Sequence, residues 1–153
     1  FVAAHGFHIS VCDPSIKNRI VPMLTQRHIV ATAVTHPGAV VSREAHLAAG
    51  VFVNAGAVVN AGAEIGAHTV INTRASVDHG SRVGAVVHVS PGVTVCGDVV
   101  IGDGAVIGPG AVVGRGVHIG AEAVVGAGAV VLDDIDAQAR VAGSPARPIL
   151  KRD

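Results

Sequence analysis

An aliphatic side chain recurs at every sixth residue through most of the chain. The sixteen residues at this position are all Val, Ile or Leu: Val41, Leu47, Val53, Val59, Ile65, Ile71, Val77, Val83, Val89, Val95, Ile101, Ile107, Val113, Ile119, Val125 and Val131. Four residues after each, the side chain is small or β-branched, as at Ala57 and Val87. A strand and a corner every six residues close into a triangular prism, in which three hexads make one coil. The pattern therefore predicts an all-β chain folded as a parallel β-helix of a little over five coils.

Residues directly after the aliphatic position are small or turn-forming, as at Asn72 and Gly102. We expect them to form the corners, because Gly and Asn tolerate backbone angles that other residues avoid. The prism should occupy residues 37–138. It should be preceded by a partial α/β unit over 1–36 and followed by a C-terminal tail over 139–153.

The first 36 residues lack the hexad period and carry signals of a strand–helix–strand unit. Phe1–Ala4 and Ile29–Val34 are candidate strands. Asp13 followed by Pro14 is typical of a helix N-cap with proline at the first helical position. The helix should bury an apolar stripe at every fourth residue and be kinked or shortened at Pro22. The stripe consists of Ile16, Ile20 and Leu24.

The residue before each aliphatic position alternates with it along the strand and therefore points outward. These outward residues fall into three rows, one for each face of the prism. Two rows are polar or mixed: His46, Glu64, Arg82, Val100, His118 and Val58, Ser76, Thr94, Val112, Val130. The third is Phe52, Val70, His88, Val106 and Val124, which is apolar apart from the histidine. A continuous apolar row on a surface indicates association, so we expect a homotrimer joined through this row.

Composition narrows the class of protein. Gly, Ala and Val make up 75 of the 153 residues, aromatic residues only 2%, and the net charge is zero. Zero net charge argues against non-specific nucleic-acid binding. Mean hydropathy is high, +0.56, yet every apolar stretch is interrupted by Gly or Asn, so we expect no membrane span. Two cysteines, Cys12 and Cys96, form no metal-binding or disulfide pattern, which favours a reducing cytoplasm and no metal.

His79 is the candidate for chemistry among nine histidines. It is the only histidine two residues after an aliphatic position, which places it at an outward corner, and it follows Asp78. An imidazole titrates near neutral pH, so an exposed one beside a carboxylate can act as a general base. A solvated turn residue is the alternative interpretation of the same position.

Several segments make a resemblance to a known family specific. The chain resembles the sialic-acid O-acetyltransferase and nucleotide-amino-sugar N-acetyltransferase family of hexapeptide-repeat acyltransferases, whose β-helix is left-handed. The segments that carry the likeness are 71–79 (INTRASVDH), 88–92 (HVSPG), 96–98 (CGD), the junction 36–39 (HPGA) and the tail 141–146 (VAGSPA).

The resemblance implies an acetyl-CoA-dependent acetyltransferase acting on a hydroxyl or amino group of a sugar or nucleotide sugar. His79 would be the general base, and the Gly97 N–H would stabilise the oxyanion. His88, Asn72 and Gly97 would contact acetyl-CoA, and Arg147 would meet its distal end. His79 lies at the corner opposite the face that carries His88. The two histidines can therefore serve one acetyl group only if they come from different subunits.

Gly80 departs from the family, which commonly has an acidic residue after the catalytic histidine. Orientation of the imidazole is then expected to rest on Asp78, another chain or water. A non-catalytic scaffolding β-helix remains an alternative, because a repeat needs no chemistry. A carbonic anhydrase on the same fold requires histidine pairs five residues apart, and the sequence contains none.

Overall fold

The computed structural model of the chain describes residues 9, 11, 13–27 and 31–149. One helix, α1 (Pro14–Gln26), precedes nineteen short strands. The strands are β1 (Val34–Thr35), β2 (Val40–Val41), β3 (His46–Leu47), β4 (Phe52–Val53), β5 (Val58–Val59), β6 (Glu64–Ile65), β7 (Val70–Ile71), β8 (Ser76–Val77), β9 (Arg82–Val83), β10 (His88–Val89), β11 (Thr94–Val95), β12 (Val100–Ile101), β13 (Val106–Ile107), β14 (Val112–Val113), β15 (His118–Ile119), β16 (Val124–Val125), β17 (Val130–Val131), β18 (Arg140–Ala142) and β19 (Arg147–Pro148).

Every third strand joins the same sheet, which gives the prism three faces. The sheets have eight strands (β1-β4-β7-β10-β13-β16-β18-β19), six strands (β17-β14-β11-β8-β5-β2) and five strands (β15-β12-β9-β6-β3). Pairing is parallel except between β18 and β19, and partners along the repeat are 18 residues apart, as with Val70↔His88↔Val106. The three rows of outward residues are therefore confirmed as three separate faces. The eight-stranded sheet also takes in β1, β18 and β19, at the two ends of the repeat.

The interior of the prism is a column of stacked aliphatic side chains. Residues at the aliphatic position from Val53 to Val131, and the small residues four further on, are nearly all less than 5% exposed. Two polar side chains lie among them. The Thr69 hydroxyl donates to the Gly84 carbonyl at 2.7 Å, and the Ser81 hydroxyl donates to the Cys96 carbonyl at 2.9 Å. The interior tolerates these hydroxyls because each is hydrogen-bonded to the backbone of the next coil.

The corners do not use glycine in the way the sequence suggested. Left-handed backbone angles occur three residues after the aliphatic position, at Gly80 (φ +66) and even at Val86 (φ +59). The glycines directly after that position are needed for close approach instead. A Cβ at Gly102 would lie 2.5 Å from the Ala121 nitrogen, and one at Gly108 would lie 2.6 Å from the Ala127 nitrogen. These sites lack a side chain because the backbone of the next coil occupies the space.

Helix α1 begins as predicted, but its buried face differs. Asp13 is the N-cap and accepts the Ser15 N–H at 2.8 Å; the helix continues past Pro22 to Gln26. The stripe prediction was wrong for Ile16, which is 40% exposed, whereas Lys17 is 1% exposed. The buried or half-buried residues of the helix are Pro14, Lys17, Ile20, Val21 and Leu24.

Lys17 can be buried because its Nζ donates to the His68 carbonyl at 2.7 Å. Of the two candidate strands, Phe1–Ala4 lies outside the described residues, and in Ile29–Val34 the only strand residue described is Val34, in β1. Among the described residues, no helix has the length and apolarity required to cross a bilayer.

Candidate active site

His79 lies at the corner where β8 of the six-stranded sheet leads into β9 of the five-stranded sheet. Its imidazole extends along the prism axis and covers Gly97, which is the equivalent corner residue of the next coil. A Cβ at Gly97 would lie 2.7 Å from Cε1 and 2.8 Å from Nε2 of His79. A side chain at residue 97 would therefore displace the ring from this position.

The N–H of Gly97 is available to a ligand. At three corners of the described chain the equivalent N–H is capped by the preceding side chain, as where Asn72 Oδ1 accepts from Thr73 and Asp78 Oδ1 accepts from His79, at 2.7 and 2.8 Å. Cys96, which precedes Gly97, has no side-chain oxygen that could accept a hydrogen bond from the Gly97 N–H. The Gly97 N–H has no hydrogen-bond acceptor among the described residues. A histidine ring and a free N–H thus adjoin at one exposed corner.

Asp78 supports the turn that carries His79 and makes no hydrogen bond to its ring. Its Oδ1 accepts both the His79 N–H at 2.8 Å and the Asn60 Nδ2 at 2.9 Å. The hydrogen bond from the His79 backbone, followed by that from Asn60, lowers the pKa of the Asp78 carboxyl below its ordinary value. Asp78 is therefore ionised at neutral pH and fixes the backbone from which His79 projects.

His88 lies on the eight-stranded sheet, opposite the His79 corner. Its side chain is buried, with 6% of its surface exposed, and its Nδ1 has no hydrogen-bond partner among the residues that the structure describes. Burial, and secondly the positive charge of Lys17, lower the pKa of His88. His88 is therefore neutral at pH 7. Sequence reasoning missed Lys17 as a neighbour of His88, since helical periodicity assigns apolar residues to a buried face.

The remaining predicted site residues are spread over the prism. Asn72 lies at the corner between the eight- and six-stranded sheets, where its Oδ1 accepts the Asn54 amide at 3.1 Å. Arg147 in β19 places Nη1 3.4 Å from Asp133 Oδ2. Asp133 stands 54 residues after His79, which is three coils further along the same corner. The fold therefore brings His79, Asp78 and Gly97 together and leaves Asn72 and His88 elsewhere.

No group of three or more His, Cys, Asp or Glu side chains within 9, 11, 13–27 and 31–149 could hold a metal ion.

Comparison with known proteins identifies the family. The model of the bacterial transferase hexapeptide (six repeats) matches residues 80–115 and 98–133. The acetyltransferase domain of PglB from Neisseria gonorrhoeae, solved also in complex with acetyl coenzyme A, is 35% identical with a TM-score of 0.92. That match covers 94% of this chain and 70% of that chain.

Two further solved structures agree. A variant of perosamine N-acetyltransferase from Caulobacter crescentus, in complex with CoA and GDP-perosamine, is 35% identical at a TM-score of 0.92, covering 94% of this chain and 69% of that chain. WeeI from Acinetobacter baumannii is 28% identical at a TM-score of 0.90, covering 93% and 69%. No curated protein sequence matches the chain. With its prism of hexads and its similarity to these proteins, the chain belongs to the hexapeptide-repeat acyltransferase family and has that family's left-handed β-helix.

Proposed function

We propose that this acyltransferase moves the acetyl group of acetyl-CoA to an amino or hydroxyl group of a nucleotide-linked sugar. The observation that carries the proposal is the contact between the His79 imidazole and Gly97, whose N–H is free. The related structures hold acetyl coenzyme A in one case and CoA with GDP-perosamine in another, which supports the donor and the class of acceptor.

The reaction needs a base and an oxyanion donor within a few ångströms of each other. Neutral His79 takes the proton of the acceptor as its nitrogen or oxygen attacks the thioester carbonyl. The Gly97 N–H donates to the oxygen that becomes negative in the tetrahedral intermediate. The carbon–sulfur bond then breaks, and coenzyme A leaves as a thiol after taking that proton. Asp78 holds the turn in place, and Cys96 takes no part as a nucleophile.

The coenzyme is proposed to extend along the corner that starts at His79. Successive coils are about 4.8 Å apart, so Asp133 stands roughly 14 Å beyond His79. Arg147 reaches this end of the corner through its contact with Asp133. A guanidinium there suits the phosphate end of an extended coenzyme whose thioester lies at Gly97. The donor belongs to the reducing interior of the cell, so we place the reaction in the cytoplasm.

The active form is proposed to be a homotrimer whose sites are shared between subunits. Phe52, Val106 and Val124 of the proposed interface are only half-buried in the single chain. Val70 and His88 are only 3% and 6% exposed in the single chain, so trimer formation would bury little more of their surface. A groove of about 590 Å³ between the start of α1 and Val106 and Val124 gives a second copy a concave, largely apolar surface.

His88 faces away from His79 of the same chain, so its contact with the coenzyme, together with that of Asn72, requires a neighbouring subunit. With most of its ring buried, His88 would offer only an exposed edge to that coenzyme. Asn72 lies at a different corner from His79, and in this arrangement it would border the acetyl group held by the adjacent chain.

The direct test is a coenzyme A release assay with acetyl-CoA and a panel of UDP- and GDP-linked sugars carrying amino or hydroxyl groups. We expect turnover with at least one acceptor and loss of about 10²–10⁴-fold in kcat in His79→Ala. His118→Ala is the matched control, since His118 is an exposed histidine on the five-stranded sheet. Absence of transfer, together with no stabilisation by acetyl-CoA in thermal unfolding, would favour a scaffolding role instead.

A further inference from the structure

A second carboxylate lies at the corner that carries His79, supplied by the next coil. A Cβ at Gly80 would lie 2.6 Å from Asp98 Oδ1, while the His79 ring covers the space at Gly97. The imidazole extends towards the coil of Asp98, and the carboxylate extends back towards the coil of His79. Both side chains therefore lie at the same corner of the prism, and Gly80 leaves the room that the carboxylate occupies.

Asp98 is held in this position from two sides. Its backbone N–H donates to the His79 carbonyl at 3.0 Å, and its backbone is left-handed, with φ +61. Its Oδ2 accepts from Nε and Nη2 of Arg115 at 3.0 and 2.8 Å. Exposed ion pairs of this kind contribute little to stability. What the pair does provide is a carboxylate with a defined direction.

The other oxygen of Asp98 is open to a ligand. Oδ1 accepts no hydrogen bond from any residue in 13–27 or 31–149, and 48% of the side-chain surface is exposed. The Oδ1 of Asp78 differs, because it already accepts from the His79 N–H and from Asn60. A carboxylate oxygen without a donor, at the same corner as a base and a free N–H, is suited to bind a cation at the reaction centre.

We propose that Asp98 binds the acceptor as its ammonium ion and so selects amino sugars over their hydroxyl counterparts. The inference rests on the proposed acetyl transfer at His79. An alkyl amine carries a positive charge at neutral pH, whereas a hydroxyl does not, so only the amine forms an ion pair with the carboxylate. The bound ammonium first loses one proton to water. The neutral amine then attacks the thioester carbonyl and forms the carbon–nitrogen bond, and His79 takes the second proton. The carbon–sulfur bond breaks, and the sulfur receives that proton from His79, so that coenzyme A leaves as a thiol.

The test compares Asp98→Asn with the wild type on matched acceptors, each pair a nucleotide-linked 4-amino sugar and its 4-hydroxyl counterpart. Asparagine keeps the shape of aspartate and tolerates the left-handed backbone. We expect KM for the amino acceptor to rise about tenfold, with kcat changed less than threefold and KM for the hydroxyl acceptor unchanged. Asp103→Asn is the control, because Asp103 is an exposed carboxylate whose Oδ1 accepts the Ala85 N–H, at a corner away from His79.

Arg115→Met separates recognition from a merely structural role. It removes the cation that pairs with Asp98 but keeps the carboxylate, so KM for the amino acceptor should not rise. If the Asp98–Arg115 ion pair acted only by stabilising the backbone of this corner, Arg115→Met would raise KM for the amino acceptor as much as Asp98→Asn does. Equal losses on both acceptors in Asp98→Asn, or no change in KM for the amine, would overturn the inference. A wild type that acetylates only hydroxyls would overturn it while leaving the proposed acetyl transfer intact.

Discussion

The imidazole of His79 covers the backbone of Gly97, 18 residues further along, with Nε2 2.8 Å from the place a Cβ would take. The relationship follows from the repeat, since residues one coil apart stack at the same corner. It brings a base next to an N–H that nothing in the described chain caps.

Gly97→Ala should reduce turnover while leaving the fold intact. The added methyl group would push the ring of His79 aside, and a displacement of about 1 Å at a reacting group can cost roughly 10²-fold. Steady-state kcat and circular dichroism measure the two effects. Gly38→Ala is the control, because its nearest contact would be the Nδ1 of His36 at 3.3 Å, at the start of the prism and away from His79. Full activity in Gly97→Ala would mean that this contact is not used.

Cys96→Asn should also impair the reaction, for a different reason. An asparagine there can cap the Gly97 N–H, as Asn72 caps that of Thr73 at 2.7 Å. The oxyanion would then lose its donor, and removal of one such donor costs roughly 10²–10³-fold in kcat. Cys96→Ala is the control and should retain turnover. Equal activity in the two variants would exclude the Gly97 N–H from the mechanism.

Val106→Asp should dissociate the proposed homotrimer. An unpaired carboxylate buried in the interface would cost roughly 3–5 kcal/mol. Sedimentation velocity of the variant should show a smaller species than the wild type. Val112→Asp provides the control, since Val112 begins a strand of the six-stranded sheet and is 38% exposed. An unchanged oligomer in Val106→Asp, or a monomeric wild type, would contradict the interface.

Mixed oligomers test whether one site draws on two subunits. His79→Ala and His88→Gln should each be impaired alone, and mixing them should restore part of the activity because some interfaces then carry both histidines. Thermal unfolding must show that His88→Gln remains folded, given the burial of this side chain. Verified mixed trimers without recovered activity would count against shared sites.

The pH dependence of stability should reveal the buried His88. Because burial and Lys17 lower the pKa of His88 in the folded chain, the unfolded chain binds a proton more readily at mildly acidic pH. Neutral His88 therefore contributes its full share to the free energy of unfolding at pH values above the ordinary histidine pKa. That contribution is lost as the pH falls below it. The melting temperature should therefore drop less between pH 7.5 and 5.5 in His88→Gln than in the wild type. Identical slopes would show that His88 titrates normally when folded.

The sequence by itself determined the prism and most of the His79 corner. A strict six-residue period gives each residue lateral neighbours 18 positions before and after it, so the pairing of His79 with Gly97 and the separation of His88 onto another face could be derived without coordinates. The helix N-cap at Asp13 was equally local, because it depends on the next few residues.

Only the tertiary structure decided what lies where the period does not apply. Helical spacing favoured Ile16 for the buried face. Lys17 is buried instead because it donates a hydrogen bond to the His68 carbonyl, and the sequence of the helix contains no signal for that contact. The corner glycines were assigned to turn geometry, whereas Gly102 is required by the backbone of the coil stacked on it. The approach of the Asp98 carboxylate to Gly80 was likewise decided by the tertiary structure. It depends on the rotamer of Asp98 and on its hydrogen bonds with Arg115, and the stacking of adjacent coils determines both.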